Sequence, residues 1–191
     1  CQVTGFYLVH CGQVLTFARG DDGERTVIQP KHLITEMEKI INQTFPKSIE
    51  FRKSVTSKLW SISGDITQLH QVLLNLCVNA KDAMPHGGIL TLSAENMHID
   101  ASYARLDIEA KPGPYIVITV ADTGIGMTPE IKERMFDPFF TTKEIGKGTG
   151  LGLSTTLAIM KSHSGFLNVY SEAGKGSTFK VYLPALETVE T

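Results

Sequence analysis

The sequence predicts an α+β fold, a two-layer sandwich in which a mixed β-sheet packs on about three helices. Three observations carry that expectation. Segments with helical spacing and segments with strand character follow one another in mixed order, without the regular βαβ alternation of a doubly wound sheet. The run Tyr115–Ala121 (YIVITVA) is apolar enough on both faces to lie in the middle of a sheet. The chain has 191 residues, 42% hydrophobic and 20% charged, which suits one domain of common size with a full core.

Residues 3–19 are moderately apolar and read as a helix ending at Arg19, with Gly20 beyond its C-terminus. The polar hinge GDDGE at 20–24 is the best boundary in the chain. Val27-Ile28 reads as a short strand. Pro30 then opens a helix to about Phe45, with Leu33, Ile34, Met37, Ile40 and Ile41 at helical spacing. Residues 49–55 and 58–63 read as two short strands joined by a tight turn. Asp65, with Gln68 three residues on, is a capping-box variant. The helix it opens carries Leu69, Leu73, Leu76 and Ala80 on one face and stops before Pro85. Residues 89–96 and 115–121 are strands. The stretch 123–149 is glycine-rich at both ends, with a short helix near 129–135. A helix from about Gly150 to His163 follows, then strands 166–171 and 177–183 joined by EAGKG at 172–176.

Charge and composition narrow the function classes. Lys and Arg number 18 against 20 Asp and Glu, a net charge of −2, which offers neither a nucleic-acid stripe nor a polybasic membrane patch. No apolar run approaches the roughly 20 residues that cross a bilayer, and the first residues lack a signal-peptide pattern. Cys1, Cys11 and Cys77 have no metal-ligand spacing and read as reduced thiols in a cytosolic setting.

Four groups of residues could carry chemistry. Asn75 and Asn79 lie one helical turn apart, so both amides leave the same side of their helix. Asparagine is a poor mid-helix residue. The pair suits a magnesium ion, which takes few protein oxygens and fills its shell with water and phosphates. A solvated polar face, or amides capping nearby loops, would explain it equally. Asp122 ends the apolar strand and precedes Thr123-Gly124-Ile125-Gly126. A carboxylate there only accepts hydrogen bonds, so it suits the exocyclic amine of adenine over the carbonyl of guanine; an acid starting a turn is the plainer alternative. Gly146-Lys147-Gly148-Thr149-Gly150-Leu151-Gly152 runs straight into a helix and reads as an anion site for phosphate, or as a flexible glycine-rich cap. It matches neither the P-loop nor the dinucleotide fingerprint. Phe136, Phe139 and Phe140 sit between the glycine clusters as anchors of a lid or as a small satellite core. Lys143 and Lys147 could reach phosphates or simply be solvated.

Taken together and in order, Asn75-x-x-x-Asn79-Ala80, Asp122-x-Gly124-x-Gly126, Phe136-x-Pro138-Phe139-Phe140, Gly148-x-Gly150-x-Gly152 and Gly176-Ser177-Thr178-Phe179 form a specific set. It resembles the catalytic ATP-binding domain of two-component sensor histidine kinases, within the superfamily of gyrase, heat-shock chaperone, kinase and mismatch-repair ATPases. HQVLLNLCVNAKDAMPHGG and FDPFFTTKEIGKGTGLGLST are most similar to nitrogen-sensor-type and hybrid kinases. The resemblance spans roughly residues 26–184.

It implies a Bergerat-type ATP-binding fold with a glycine-rich ATP lid, and the cofactors ATP and Mg2+. It assigns Asn79 and Asn75 to catalysis at the magnesium–phosphate face, Asp122 to adenine, and Gly124 and Gly126 to the adenine pocket. Lys143, Gly148, Thr149, Gly150, Leu151 and Gly152 would close on the phosphates, and Thr178 would support adenine through water near Asp122. Hydrolysing relatives resemble one another in a glutamate at the position of Asn75, which cannot act as a general base; that favours a kinase over an ATP-driven clamp. The implied activity is transfer of the γ-phosphoryl group to a histidine on a separate dimerisation hairpin, with a response-regulator receiver domain downstream. None of the six histidines is followed by Glu or Asp, so the acceptor is expected outside this chain. Residues 1–24 are then expected to be the hairpin's last turns plus the hinge, 25–185 the catalytic domain and 186–191 a tail. The piece would be a cytoplasmic monomer of a homodimeric parent, touching neither membrane nor nucleic acid. A nucleotide-sensing interaction module without transfer is the alternative from another class.

Overall fold

The computed structural model describes residues 24–144, 148 and 150–187. The expected terminal helix at 3–19 and the hinge at 20–24, apart from Glu24, lie outside the described residues, as do Gly146, Lys147 and Thr149. Seven strands form one mixed sheet: β1 (Thr26–Ile28), β2 (Ile49–Val55), β3 (Ser61–Gly64), β4 (Gly88–Ile99), β5 (Gly113–Asp122), β6 (Phe166–Glu172) and β7 (Gly176–Leu186). The order is β1-β3-β7-β5-β4-β2, with β6 also paired to β7. The YIVITVA strand is central, between β4 and β7. Among the described strands only the β2–β4 pair is parallel.

Three helices cover one face: α1 (Pro30–Thr44), α2 (Ile66–Asp82) and, numbered after two shorter ones, α5 (Gly152–Ser162). Their apolar stripes meet the inward residues of the sheet. Leu33, Ile34 and Met37 of α1 and Leu69, Leu73 and Leu76 of α2 share one cluster with Ile116, Ile118 and Val120 of β5 and Phe179 and Val181 of β7. The starts of α1 and α2 are as the sequence predicts. Pro30 occupies the first turn of α1, where its missing N–H is no loss. Asp65 Oδ1 accepts from Thr67 N at 2.8 Å and Gln68 N at 3.1 Å, satisfying orphan donors of α2.

Two features depart from the sequence reading. Strands β2 and β3 follow one another but do not pair; β2 lies at one edge of the sheet and β3 lies between β1 and β7. Asn96 of β4 captures the intervening loop, accepting from Trp60 N at 2.9 Å and donating to Lys58 O at 2.7 Å. The loop's backbone groups are thus engaged far from any hairpin turn. The second departure is on the outer face of the sheet, where the six-residue α3 (Ala101–Leu106), capped by Asp100, covers a separate cluster. Tyr103 packs there on Ile99, Tyr115, Phe166 and Tyr182. The short α4 (Pro129–Arg134) is capped by Thr128, whose hydroxyl accepts from Ile131 N.

The two helices nearest the functional motifs are tied together by a buried histidine. His163 follows α5 and its Nε2 accepts from Asp65 N at 3.0 Å, while Nδ1 lies 2.8 Å from Ile159 O. This bond fixes the end of α5 to the start of α2. Thr155 of α5 is 2% exposed, and among the described residues its Oγ1 has no hydrogen-bond partner. A buried hydroxyl without a partner is destabilising. Thr155→Val is therefore expected to raise stability by about 1 kcal/mol, read as a higher denaturant midpoint at unchanged slope; a lower midpoint would show that the hydroxyl is satisfied.

Among the described residues no helix is long and apolar enough to cross a membrane.

Candidate functional site

Helix α2 presents Asn75, Asn79 and Asp82 at spacings of four and three, so the three follow one face. That face meets the glycine-rich segment at both ends. Asn75 is 6% exposed; its Nδ2 donates to Gly152 O at 3.2 Å and approaches Thr156 Oγ1 at 3.5 Å. Asn75 thus holds the first turn of α5 against α2. Asn79 is half-buried, and its side-chain amide makes no hydrogen bond to another described residue. Asp82 forms an ion pair with Lys143 at 2.5 Å and stands 3.7 Å from Lys81 Nζ.

The second group gathers at the end of β5. Asp122 is 8% exposed. Its Oδ1 accepts from Gly124 N at 2.8 Å and Ser177 N at 3.3 Å, while Oδ2 has no hydrogen-bond partner among the described residues. Burial raises the carboxyl's pKa above its ordinary 3.8, and the two backbone donors oppose that rise. The loop after Asp122 is strung between two anchors: Ile125 N donates to Ala83 O at 2.9 Å, and Gly174 N donates to Ile125 O at 2.7 Å. At Gly126 φ is +65°, and an added Cβ would stand 2.0 Å from Glu172 O, so only glycine allows this approach. Asn79 O accepts from Ala83 N at 3.0 Å. The Asp122 loop is therefore pinned to the turn that Asn79 begins, which sets the two groups near one another.

One expected residue is misplaced by a single position. In the β5–β7 ladder Ser177 stands opposite Asp122 and Thr178 opposite Ala121. Phe179 and Val181 face the helices whereas Tyr182 belongs to the outer cluster, so strand alternation puts Thr178 on the face turned away from Asp122. Ser177 is the hydroxyl residue beside the carboxylate. Its Oγ lies 2.8 Å from Ser171 Oγ, which in turn accepts from Met127 N at 2.9 Å.

The segment between the two glycine clusters is cinched at its neck. Phe139 N donates to Gly150 O at 2.9 Å, and both residues have positive φ, +65° and +68°. A Cβ on Gly150 would lie 2.3 Å from the Phe139 carbonyl carbon. The phenylalanines form no core of their own: Phe139 is exposed, Phe136 half-buried, and Arg134 lies 4.6 Å over the Phe140 ring. Lys143 N donates to Thr141 Oγ1 at 3.1 Å, and its stem passes Gly148, where a Cβ would meet Lys143 Cδ at 2.8 Å. Leu151 is buried, so it contributes to this surface through its backbone. Gly152 is different: the nearest atom to an added Cβ is Asn75 Cγ at 3.9 Å. Packing alone leaves room there beside the asparagine stripe.

The chemistry of the donor set is hard oxygen and backbone N–H. Among the described residues no cluster of three His, Cys, Asp or Glu could hold a metal ion. The amide oxygen of Asn79 fits an ion that draws most of its shell from phosphates and water. A hydrogen-bond acceptor at one end and an oxygen ligand beside glycine backbone at the other suit an adenine nucleotide.

Comparisons with known proteins agree. Residues 64–187 match the family described as histidine kinase-, DNA gyrase B-, and HSP90-like ATPase. The sensor kinase CckA of Brucella abortus (strain 2308) is 41% identical over 175 residues, covering 91% of this chain and 18% of that protein. Among solved structures, the catalytic domain of histidine kinase ThkA in a nucleotide-free form superposes with a TM-score of 0.68 at 28% identity, over 85% of this chain and 98% of that one. Full-length ShkA in complex with AMPPNP gives 0.76 at 27% identity, over 98% of this chain and 38% of that one. The chain thus spans about a fifth of the curated relative CckA.

Proposed function

The chain belongs to the histidine kinase-, DNA gyrase B-, and HSP90-like ATPase family, and we propose from this that it binds Mg-ATP and donates the γ-phosphoryl group to a histidine on a separate dimerisation hairpin, as the catalytic part of a two-component sensor kinase. The observation that carries this is the run of hydrogen bonds that ties the 122–126 loop, with the unpartnered Oδ2 of Asp122 at its start, to the turn that Asn79 begins. Asp122 would accept from the adenine amine, with Ser177 beside it. Asn79 would hold the magnesium ion, whose chemistry is to neutralise phosphate charge. Gly148, Gly150 and Gly152 would bring backbone to the phosphates, and Lys143 would add a cation.

Asn75 plays a supporting part in this scheme. Buried and bonded to Gly152 O, it is better placed to set the distance between α2 and α5 than to meet a solvated ion. It supplies no general base, so water at the γ-phosphate gains no activation from it. Catalysis then rests on positioning: the β,γ P–O bond breaks, a P–N bond forms to the acceptor imidazole, and ADP leaves. The likeness to ShkA, solved with AMPPNP, supports a nucleotide in this place. The parent's dimeric state and its receiver-domain partner are part of the same proposal.

A calorimetric titration of ATP with and without magnesium, with GTP as control, tests the nucleotide half. Magnesium-sensitive, ATP-selective binding is expected. Absence of binding at millimolar nucleotide would favour an interaction module. Mixing the chain with labelled ATP and a matching hairpin domain tests the transfer half, where no phosphohistidine would refute it.

A further inference from the structure

We propose that Asp82 is a positioning residue for the lid: it holds the Lys143 ammonium beside Asn79, and Lys143 in turn offsets the repulsion of the Asp82 carboxylate for nucleotide phosphates. This rests on the nucleotide reading above. The ion pair spans 2.5 Å, and its side chains are only about a third exposed, 34% for Asp82 and 32% for Lys143. Asp82 is the last residue of α2, where the negative end of the helix dipole disfavours a carboxylate. Helix stability gives no reason for an acid at this position. Asp82 also lies three residues after Asn79, so its charge sits next to the proposed phosphate face. Alone it would repel a triphosphate.

Lys143 removes that conflict. An ammonium has three donors; one can remain on Asp82 while the others meet phosphate oxygens. Its stem is laid along Gly148 and its backbone is fixed by Thr141. The lysine thus arrives with its lid segment already tied to α2. The second cation near Asp82, Lys81 at 3.7 Å, lies 5.6 Å from the Phe45 ring centroid and belongs to α2 itself. Among the described residues it has no partner in the lid.

The test is a double-mutant cycle with Asp82→Asn, Lys143→Met and the double variant, titrated with Mg-ATP and with AMP. In the wild-type background Asp82→Asn is expected to weaken Mg-ATP binding about two- to fivefold, the range of a partly exposed ion pair. In the Lys143→Met background the same substitution is expected to strengthen it, because an unpaired carboxylate has been removed. AMP, lacking the outer phosphates, should bind all four proteins alike. Without nucleotide, amide exchange over residues 138–144 should quicken in each single variant and no further in the double. An Asp82→Asn effect of one sign and size in both backgrounds, an equal loss for AMP, or unchanged exchange overturns the proposal. A wild-type chain that binds no adenine nucleotide overturns the nucleotide reading along with it; additive effects on measurable Mg-ATP binding overturn this proposal alone.

Discussion

Asp122→Asn is expected to weaken ATP binding by about 100-fold or more and to shift preference toward inosine and guanosine triphosphates, without unfolding the chain. Both backbone bonds to the carboxylate use Oδ1, from Gly124 N and Ser177 N. An asparagine side chain keeps that arrangement only with its carbonyl oxygen in the Oδ1 place, which puts the NH2 group where Oδ2 was. The acceptor offered to a base becomes a donor. Adenine's amine then faces another donor, whereas the carbonyl of hypoxanthine or guanine finds a partner.

Stability should move the other way. Burial raises the Asp122 pKa above 3.8 despite the two backbone donors, so the folded chain binds this proton more tightly than the unfolded chain does. The stabilisation linked to that proton is fully present below about pH 3.8 and is lost as pH rises through the raised value. At neutral pH the ionised carboxylate is therefore a net cost, which the neutral amide removes. Thermal unfolding at pH 7 should show an unchanged or higher midpoint beside the lost ATP affinity. Unaltered ATP affinity would remove Asp122 from adenine recognition. Lost affinity with a lowered midpoint would make its role structural.

How much of this was legible in the sequence depended on the range of the forces involved. Local signals held: Pro30 and Asp65 open helices where expected, and the doubly apolar YIVITVA run is central. The separation of β2 from β3 could not be read locally, because Asn96, far along the chain, captures the loop between them. The outer cluster was missed for a related reason. Helix α3 is too short for periodicity to show, and it is held by Tyr103 packing on strands that come later. The Asp82–Lys143 pair likewise joins two segments distant in sequence.

Thr178 is a different kind of miss, because the signal was present. Phe179, Val181 and Leu183 alternate as inward residues, and that parity extends back to Ser177 and skips Thr178. Counting alternation along β7 would have placed Ser177 beside Asp122. The motif's wording alone did not.

Asn79→Ala is expected to separate magnesium dependence from the fold. The side chain is half-buried and makes no hydrogen bond to another described residue, so its removal strands no partner. Alanine is also the better helix former, by roughly 0.5 kcal/mol, so α2 should be at least as stable. What should vanish is the difference between ATP titrated with and without magnesium. Phosphoryl transfer to a hairpin domain should fall by about 100-fold, or ~2.7 kcal/mol in the barrier. Asn75→Ala provides the contrast, since it removes the bond from Asn75 Nδ2 to Gly152 O that ties α2 to α5 and leaves that carbonyl to Thr156 Oγ1. Its loss should appear first in lower thermal stability and faster amide exchange at the start of α5, with magnesium dependence retained. If Asn75→Ala instead abolished magnesium dependence and Asn79→Ala preserved it, the two asparagines would have to exchange roles.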